Sequence, residues 1–184
     1  MTEVIGRFFK YLLVFVLGAG GLVLALSHDR LHVYQSALRE TSPQITMRYE
    51  QLSVDMDEPA VRRHFPGVNL DCFGQPKEAN GLGDRVCYAP IDAADGNAAL
   101  TLALFFNKGR LSVAVVHVPW WRHVGMRKRL LARYGEPGSG GVTDKGTPVL
   151  RWKLPNGDLD FGRDRDLNPL NWSGVVWLGK DSSR

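Results

Sequence analysis

The chain has 184 residues, of which 44% are hydrophobic and 23% are charged, so extensive disorder is excluded and one domain with a proper core is expected. The net charge of +4 is small, and a strongly basic nucleic-acid-binding domain is therefore not indicated. The excess of positive charge is concentrated in a single acid-free window with five basic residues: Arg122, Arg127, Lys128, Arg129 and Arg133.

The N-terminal segment contains an uncharged run of sixteen residues, Tyr11–Leu26. Counted from Phe8, a helix rising about 1.5 Å per residue would span roughly 28 Å, which is close to the thickness of a bilayer core. This predicts a signal anchor over residues 1–27 that contacts the membrane through residues 8–26. A buried core helix in a cytosolic protein fits less well, because such a helix normally keeps one polar face.

A second interpretation of this segment is a cleaved signal peptide, with the cut after Ser27 and a secreted product. The residues that follow favour the anchor. Leu31, Tyr34 and Leu38 recur at helical spacing, and Pro43 ends the pattern. We therefore expect a juxtamembrane helical linker over residues 28–43 and an extracytoplasmic, periplasmic α+β domain over residues 44–184.

The domain begins with an alternating segment, Ile45–Val54, whose phase shifts near its middle and which predicts a strand with a break. Asp57 is expected to cap a short helix, in which Val61, His64 and Phe65 face the core.

The two cysteines, Cys72 and Cys87, flank a polar, glycine-rich loop over Phe73–Arg85. Outside the cytoplasm they would form a disulfide, and closing this loop would stabilise the fold by roughly 3 kcal/mol. The alternative is two unrelated buried thiols. Suitably spaced further ligands are missing from the sequence, so no metal site is expected.

The clearest strands in the chain are Leu100–Phe106 and Leu111–Val118, which follow a short strand, Arg85–Ala89. A three-residue turn, Asn107-Lys108-Gly109, is predicted to join the first two into a hairpin. Both strands are apolar on both faces, which indicates a central hairpin covered on each side. His117 lies near the end of the second strand and is expected to be satisfied by the backbone.

Pro119 precedes a predicted basic helix, Trp120–Tyr134. At 100° per residue, Trp120, Val124, Leu131 and Tyr134 share one face, which we expect to pack on the core. The opposite face carries the candidate interaction residues Arg122, Arg129 and Arg133. This face would contact anionic lipid head groups or another envelope protein, or it would be only the solvated back of a packed helix.

The C-terminal part is predicted to form a second hairpin, Val149–Leu154 and Asp158–Phe161, around the turn Pro155-Asn156-Gly157. A flexible loop, Gly138–Gly146, precedes it, and Trp172–Leu178 forms the last strand. The predicted fold is α+β, with antiparallel hairpins and two or three helices packed on the sheet. The similar order of elements in the two halves suggests a tandem αββ duplication.

No catalytic motif, phosphate loop or cofactor-binding signature is present in the sequence. The leading hypothesis is a membrane-tethered extracytoplasmic binding or structural module of the cell envelope, with no cofactor, no metal and no nucleic acid. The alternative is a secreted or anchored enzyme in which His64, His117 or His123 meets a carboxylate in space.

Overall fold

The computed structural model describes residues 2–26, 31, 34–35, 41–74, 82–138, 140–143 and 146–180. Within these ranges the protein is α+β, with an antiparallel seven-stranded sheet and the second and third helices packed against one of its faces. The helices are α1 (Thr2–Leu26), α2 (Glu58–His64) and α3 (His123–Tyr134). The strands are β1 (Gln44–Ile45), β2 (Asp71–Gly74), β3 (Arg85–Pro90), β4 (Ala93–Ala94), β5 (Asn97–Ala98), β6 (Thr101–Asn107), β7 (Arg110–Val118), β8 (Val149–Leu154), β9 (Gly157–Gly162) and β10 (Ser173–Gly179).

Helix α1 contains the uncharged N-terminal run and is 25 residues long. In the described part of the chain, no helix combines the length and the apolarity that crossing a membrane requires. Most of the predicted linker helix over residues 28–43, and Ser27 at the alternative cut, lie outside the described residues.

The large sheet has the strand order β2-β3-β6-β7-β10-β9-β8, and every neighbouring pair is antiparallel. Helix α2 precedes the meander that ends at β7, and helix α3 precedes the meander β8-β9-β10. The last strands of the two meanders pair in the middle of the sheet, where Val115 lies opposite Val176. Each half therefore contains more strands than the predicted αββ unit.

The central hairpin β6–β7 is buried on both faces, as predicted. Leu102 and Leu104 point to the face on which α2 and α3 lie, and they pack in one cluster with Val61 of α2 and Leu130 of α3. The alternate residues form a second cluster on the other face: Val86, Ala103, Phe105, Val113 and Val115. The period-two pattern of a strand accounts for this division.

The turn of this hairpin is shorter than predicted, because Asn107 and Arg110 are paired and only two residues lie between them. Lys108 and Gly109 have φ values of 52° and 75°. Positive φ at both central positions is the signature of a type I′ turn, whose twist matches that of the flanking strands.

Helix α2 begins where the sequence predicts. The Asp57 carboxylate accepts a hydrogen bond of 2.9 Å from the backbone N–H of Ala60, which satisfies a donor of the first helical turn. Val61 and Phe65 are buried as expected, whereas His64 is only half-buried.

The strand predicted over Ile45–Val54 is mostly wrong. Only Gln44–Ile45 forms a strand, which pairs in parallel with β4, and Tyr49–Gln51 forms a 3₁₀ turn. Arg48 has a φ of 46°, so the chain leaves the extended conformation at that residue. Met47, Tyr49 and Leu52 are nevertheless buried, and this burial explains the alternating hydrophobic pattern.

The second hairpin also turns at a different position, because Leu154 pairs with Gly157 and the turn consists of Pro155 and Asn156. Gly157 lies inside β9, not in the turn. A Cβ atom at this position would lie 2.2 Å from the carbonyl oxygen of Leu178 on the neighbouring strand. The glycine is therefore required by close packing, and not by a positive φ.

Part of the segment predicted as a flexible loop, Gly138–Gly146, lies along the outer edge of β8. The backbone N–H of Gly138 donates to the carbonyl of Arg151, and that of Val149 donates to the carbonyl of Gly141. A Cβ at Gly140 would lie 2.4 Å from the carbonyl oxygen of Val149, so a glycine permits this approach. The contacts cover backbone groups that an open sheet edge would expose.

Candidate interaction surface

The basic helix begins three residues later than predicted and is preceded by a 3₁₀ turn, Trp120–Arg122. Its buried residues are His123, Met126 and Leu130, which follow the spacing of one helical face. Val124, predicted to face the core, is exposed, and so is Trp121, with 54% of its surface accessible. Leu131 and Tyr134 pack against the core as predicted, so the predicted face is only partly wrong. The sequence could not show which side of the helix the sheet approaches.

Two of the three candidate interaction residues have partners within the domain. Arg133 forms an ion pair with Glu50 at 3.0 Å and approaches Asp95 at 3.7 Å. Arg129 donates a hydrogen bond of 2.7 Å to the carbonyl of Asp95. These contacts attach α3 to the 3₁₀ turn that contains Glu50 and to the turn between β4 and β5.

The acidic partners of Arg133 are affected differently by their surroundings. Burial raises the pKa of Asp95 above its ordinary value, against the opposing effects of the Met47 N–H and Arg133. Burial also acts on Glu50, but hydrogen bonds and the charge of Arg133 outweigh it, so the pKa of Glu50 lies below its ordinary value. Arg133 therefore favours the ionised state of both carboxylates, and its contacts are those of a structural ion-pair network.

The third candidate, Arg122, lies in a different environment, beside a group of aromatic side chains that we call the aromatic end: Tyr34, Trp120, Trp121 and Trp172. The ring of Tyr34 lies 5.3 Å from that of Trp121 and 6.2 Å from that of Trp172. The Tyr34 hydroxyl accepts a hydrogen bond of 3.4 Å from the backbone N–H of Trp120. Arg122 and Trp121 line a cleft of about 230 Å³ together with Tyr34.

A second cation extends the aromatic end. The guanidinium carbon of Arg165 lies 3.7 Å from the centre of the Trp120 ring, a cation–π contact. The indole N–H of Trp120 donates a hydrogen bond of 2.6 Å to the carbonyl of Asp166. The aromatic end thus presents indole rings and guanidinium groups side by side. Sequence reasoning missed this cluster, because Trp121 and Trp172 are about fifty residues apart and no local pattern indicates that they lie close together in the fold.

The three histidines that an enzyme would use have other partners. The Nε2 atom of His64 lies 3.0 Å from the carbonyl oxygen of Met47, and Nδ1 of His117 lies 2.6 Å from the hydroxyl of Thr101. Burial lowers the pKa of His117 to about 4, so its imidazole is neutral at pH 7. His64 lines a cleft, but no carboxylate does so among the described residues.

The third histidine forms a pair that resembles a nucleophile and its base, because Nδ1 of His123 lies 2.7 Å from the Ser173 hydroxyl. The imidazole is only 2% exposed and stacks on Phe161 with the ring centres 4.7 Å apart. A substrate could not reach a base packed in this way. The hydrogen bond instead joins α3 to the start of β10.

The cysteine pair is at bonding distance, as predicted: the two sulfur atoms lie 2.00 Å apart and join β2 to β3. Cys72 and Cys87 are directly opposite in the antiparallel register, where side chains of neighbouring strands approach most closely. The carboxylate of Glu58 lies within 4.8 Å of both sulfur atoms. Bonded sulfurs are not thiolates, so these three residues do not form a metal site while the disulfide is intact.

No family model matches the chain, and neither a curated protein nor a solved structure shows significant similarity to it.

Proposed function

We propose that this protein is a membrane-attached, extracytoplasmic binding module of the cell envelope. The observation that carries the proposal is the exposure of α1. Nine large apolar side chains of this helix are between 44% and 72% exposed, including every residue from Tyr11 to Leu17. Seven consecutive positions cover all sides of an α-helix, so the domain buries no face of this segment.

An exposed apolar surface of this extent is rare on a soluble protein, because transfer of apolar surface from water into an apolar phase is favourable. The hydrocarbon core of a bilayer surrounds a helix on every side, so it can cover all of these apolar side chains together. Because no spanning helix is identified among the described residues, attachment is the first property that experiment must test.

The aromatic end supports the same proposal from a second place in the fold. Tyr34 follows the last residue of α1 by eight positions, and eight extended residues reach at most about 29 Å. The tryptophans and arginines around Tyr34 therefore lie within reach of the end of α1, although they are distant from it in sequence. Trp, Tyr and Arg are the side chains that favour the boundary between hydrocarbon and water.

The cysteine pair supports a location outside the cytoplasm, where disulfides form and persist. A binding role is favoured over catalysis because the histidines considered for a catalytic site are occupied by a carbonyl and by hydroxyls. The module has two candidate contact surfaces. One is the aromatic end with Arg122, and the other is the exposed basic side of α3, which carries Arg127, Lys128, Arg129 and Arg133.

Attachment is tested by fractionating cells that express the full chain. We expect the protein in the membrane fraction after alkaline carbonate washing, and release of the double variant Val16→Arg/Leu17→Arg, because two charges in an apolar helix oppose insertion. The matched control is Leu167→Arg. It makes the same kind of change at a loop residue that is 97% exposed, and it should leave the distribution unchanged.

Retention of the double variant in the washed membranes would overturn the attachment. The intact mass of the purified wild-type chain tests the alternative, a cleaved signal peptide, because cleavage after Ser27 would remove α1 altogether. Protease added to intact and to permeabilised cells reports the compartment: a domain digested only after the cytoplasmic membrane is opened would refute the extracytoplasmic placement.

A further inference from the structure

A cleft of about 570 Å³ lies between the segment that follows β1 and helix α2, and no residue of α1 lines it. Its volume is in the range of small-molecule binding sites. Its apolar lining includes Ile45, Met56 and Phe65, and its polar lining includes Arg48, Arg63 and His64. A ligand that fills this cleft would therefore meet both an apolar wall and a group of nitrogen donors.

The cleft has an unbalanced charge. Arg48 and Arg63 are both exposed, and neither guanidinium forms an ion pair with a carboxylate in the part of the chain that the structure describes. Within that part, no Asp or Glu lines the cleft. Arg129 and Arg133 show the opposite behaviour, since both contact the Asp95 region. The two cleft arginines are thus available to an anion from outside the domain.

The backbone of Arg48 is held in a conformation that arginine seldom adopts. Its φ and ψ are 46° and 54°, in the left-handed region that favours glycine. The neighbouring residues impose this geometry: Met47 donates its N–H to the Asp95 carboxylate at 3.1 Å, and the Arg48 carbonyl accepts from Gln51 at 2.8 Å. Strained backbone positions cluster at active sites and ligand clamps, which makes this arginine a candidate for a binding role.

His64 also lines the cleft, next to Arg63 in the chain. Its Nε2 lies 3.0 Å from the Met47 carbonyl oxygen, and a carbonyl only accepts hydrogen bonds, so Nε2 carries a proton. This hydrogen bond fixes the ring against the segment that contains Arg48. Arg48, Arg63 and His64 therefore belong to one connected part of the structure.

We propose that this cleft binds a small amphipathic oxyanion, a molecule with a phosphate or carboxylate group and an apolar body. The two guanidinium groups bind the oxyanion through charge-assisted hydrogen bonds, for which arginine is well suited. The apolar body lies against Met56 and Phe65. This inference rests on residues 44–66 and does not depend on attachment to a membrane.

The test measures binding of phenyl phosphate to the full chain in a neutral detergent by isothermal titration calorimetry. Inorganic phosphate, benzoate and phenol serve as partial probes. We expect saturable 1:1 binding of phenyl phosphate and weaker binding of phenol. Loss of a charge-assisted hydrogen bond typically lowers affinity by about tenfold or more, so Arg48→Gly and Arg63→Gln should each do so.

Arg48→Gly is informative because glycine suits a φ of 46°, and the variant should fold at least as well as the wild type. Lys108→Gly is its matched control. It also replaces a cation at a positive φ, 52°, by glycine, but in the β6–β7 turn outside the cleft. Thermal unfolding of each variant, followed by circular dichroism, confirms that the domain remains folded.

Affinity lost in Arg48→Gly and retained in Lys108→Gly supports the site. Equal affinities in these two variants, or no saturable binding of phenyl phosphate, inorganic phosphate or benzoate, would overturn it. Equal binding of phenol and phenyl phosphate would also overturn it, because the oxyanion would then contribute nothing. Competition by phosphatidylglycerol vesicles, compared with phosphatidylcholine vesicles, would identify a lipid head group as the source of the oxyanion, and lack of competition would identify a soluble ligand.

Discussion

Strands β2 and β8 form the two outer edges of the sheet, and they are attached to their neighbours in different ways. β2 is linked covalently to β3 through Cys72 and Cys87, whose Cα atoms are 4.0 Å apart. β8 is attached to β9 by the ion pairs Arg151–Asp160 at 2.5 Å and Lys153–Asp158 at 2.6 Å. On its core face, Trp152 is buried and donates its indole N–H to the carbonyl of Gly135 at 2.9 Å.

The difference follows from what each strand can bury. β2 has four residues, and most of its surface is exposed, so burial contributes little to its docking. β8 has six residues, and Trp152 and Val149 are buried. A short strand without a core face of its own thus depends on a crosslink, whereas a longer amphipathic strand is held by packing, charge and the glycine-rich segment on its edge.

The largest effect should come from removing the crosslink. Cys72→Ser/Cys87→Ser is expected to lower the free energy of unfolding by about 3 kcal/mol, because the bond closes a loop with a sequence separation of 15. Urea unfolding measures the loss, and reduction of the wild-type protein should reproduce it. Hydrogen exchange should increase at β2 and β3 and remain slow at β8 and β9; uniform exchange across the sheet would contradict the contrast between the two edges.

The second-largest effect should come from a variant that disturbs the packing on the β8 side of the sheet. Gly157→Ala is expected to destabilise the fold by about 2 kcal/mol, because its Cβ would lie 2.2 Å from the Leu178 carbonyl oxygen and 3.0 Å from the Trp177 indole nitrogen. The matched control is Gly138→Ala, whose Cβ would find the Arg151 carbonyl oxygen at 3.8 Å, an ordinary contact. Thermal unfolding compares the two variants. Equal melting temperatures would show that the sheet accommodates the methyl group.

A somewhat smaller effect should come from protonation of His117, which lies where β7 and β10 join the two meanders, away from both edges of the sheet. Burial lowers the pKa of His117 from 6.5 to about 4, so between these values the unfolded chain binds a proton that the folded chain does not. Stability should therefore be fully present well above pH 6.5 and decrease by about 1–2 kcal/mol as the pH falls to about 5.

His117→Gln should remove part of this pH dependence. Part should remain, because burial also lowers the pKa of His123. Urea unfolding across the pH range measures the slope. An unchanged slope in His117→Gln would exclude His117 as its source.

Several elements could be predicted from the sequence because their causes are local. The Asp57 cap depends on residues three positions apart, and the β6–β7 hairpin depends on two apolar runs around Lys108-Gly109. The cysteine pair could be inferred because the chain has only two cysteines. The Asp95-Gly96 turn between β4 and β5 also had a local signal, an Asp-Gly pair with φ values of 50° and 71°, but the flanking strands are too short for a pattern.

The remaining features depend on contacts between distant residues. The position of the sheet decides which face of α3 packs on the core. The partners of Arg133 are Glu50 and Asp95, which are distant from it in sequence. The left-handed conformation of Arg48 is imposed by bonds to its neighbours and is invisible in a hydrophobic pattern. The oxyanion cleft could not be predicted for the same reason, since it forms only when the β1 segment lies against α2.

The ion pair between Arg133 and Glu50 joins residues that are 83 positions apart, and contacts of such separation bear on the order of folding. The segment that includes Arg48 and Glu50 is synthesised early, but its partners on α3 appear only after the first meander is complete. Contacts across such a separation form slowly, because the closure of a long loop precedes any gain in stability. The N-terminal wall of the oxyanion cleft is therefore expected to become ordered late, after the C-terminal helix has docked.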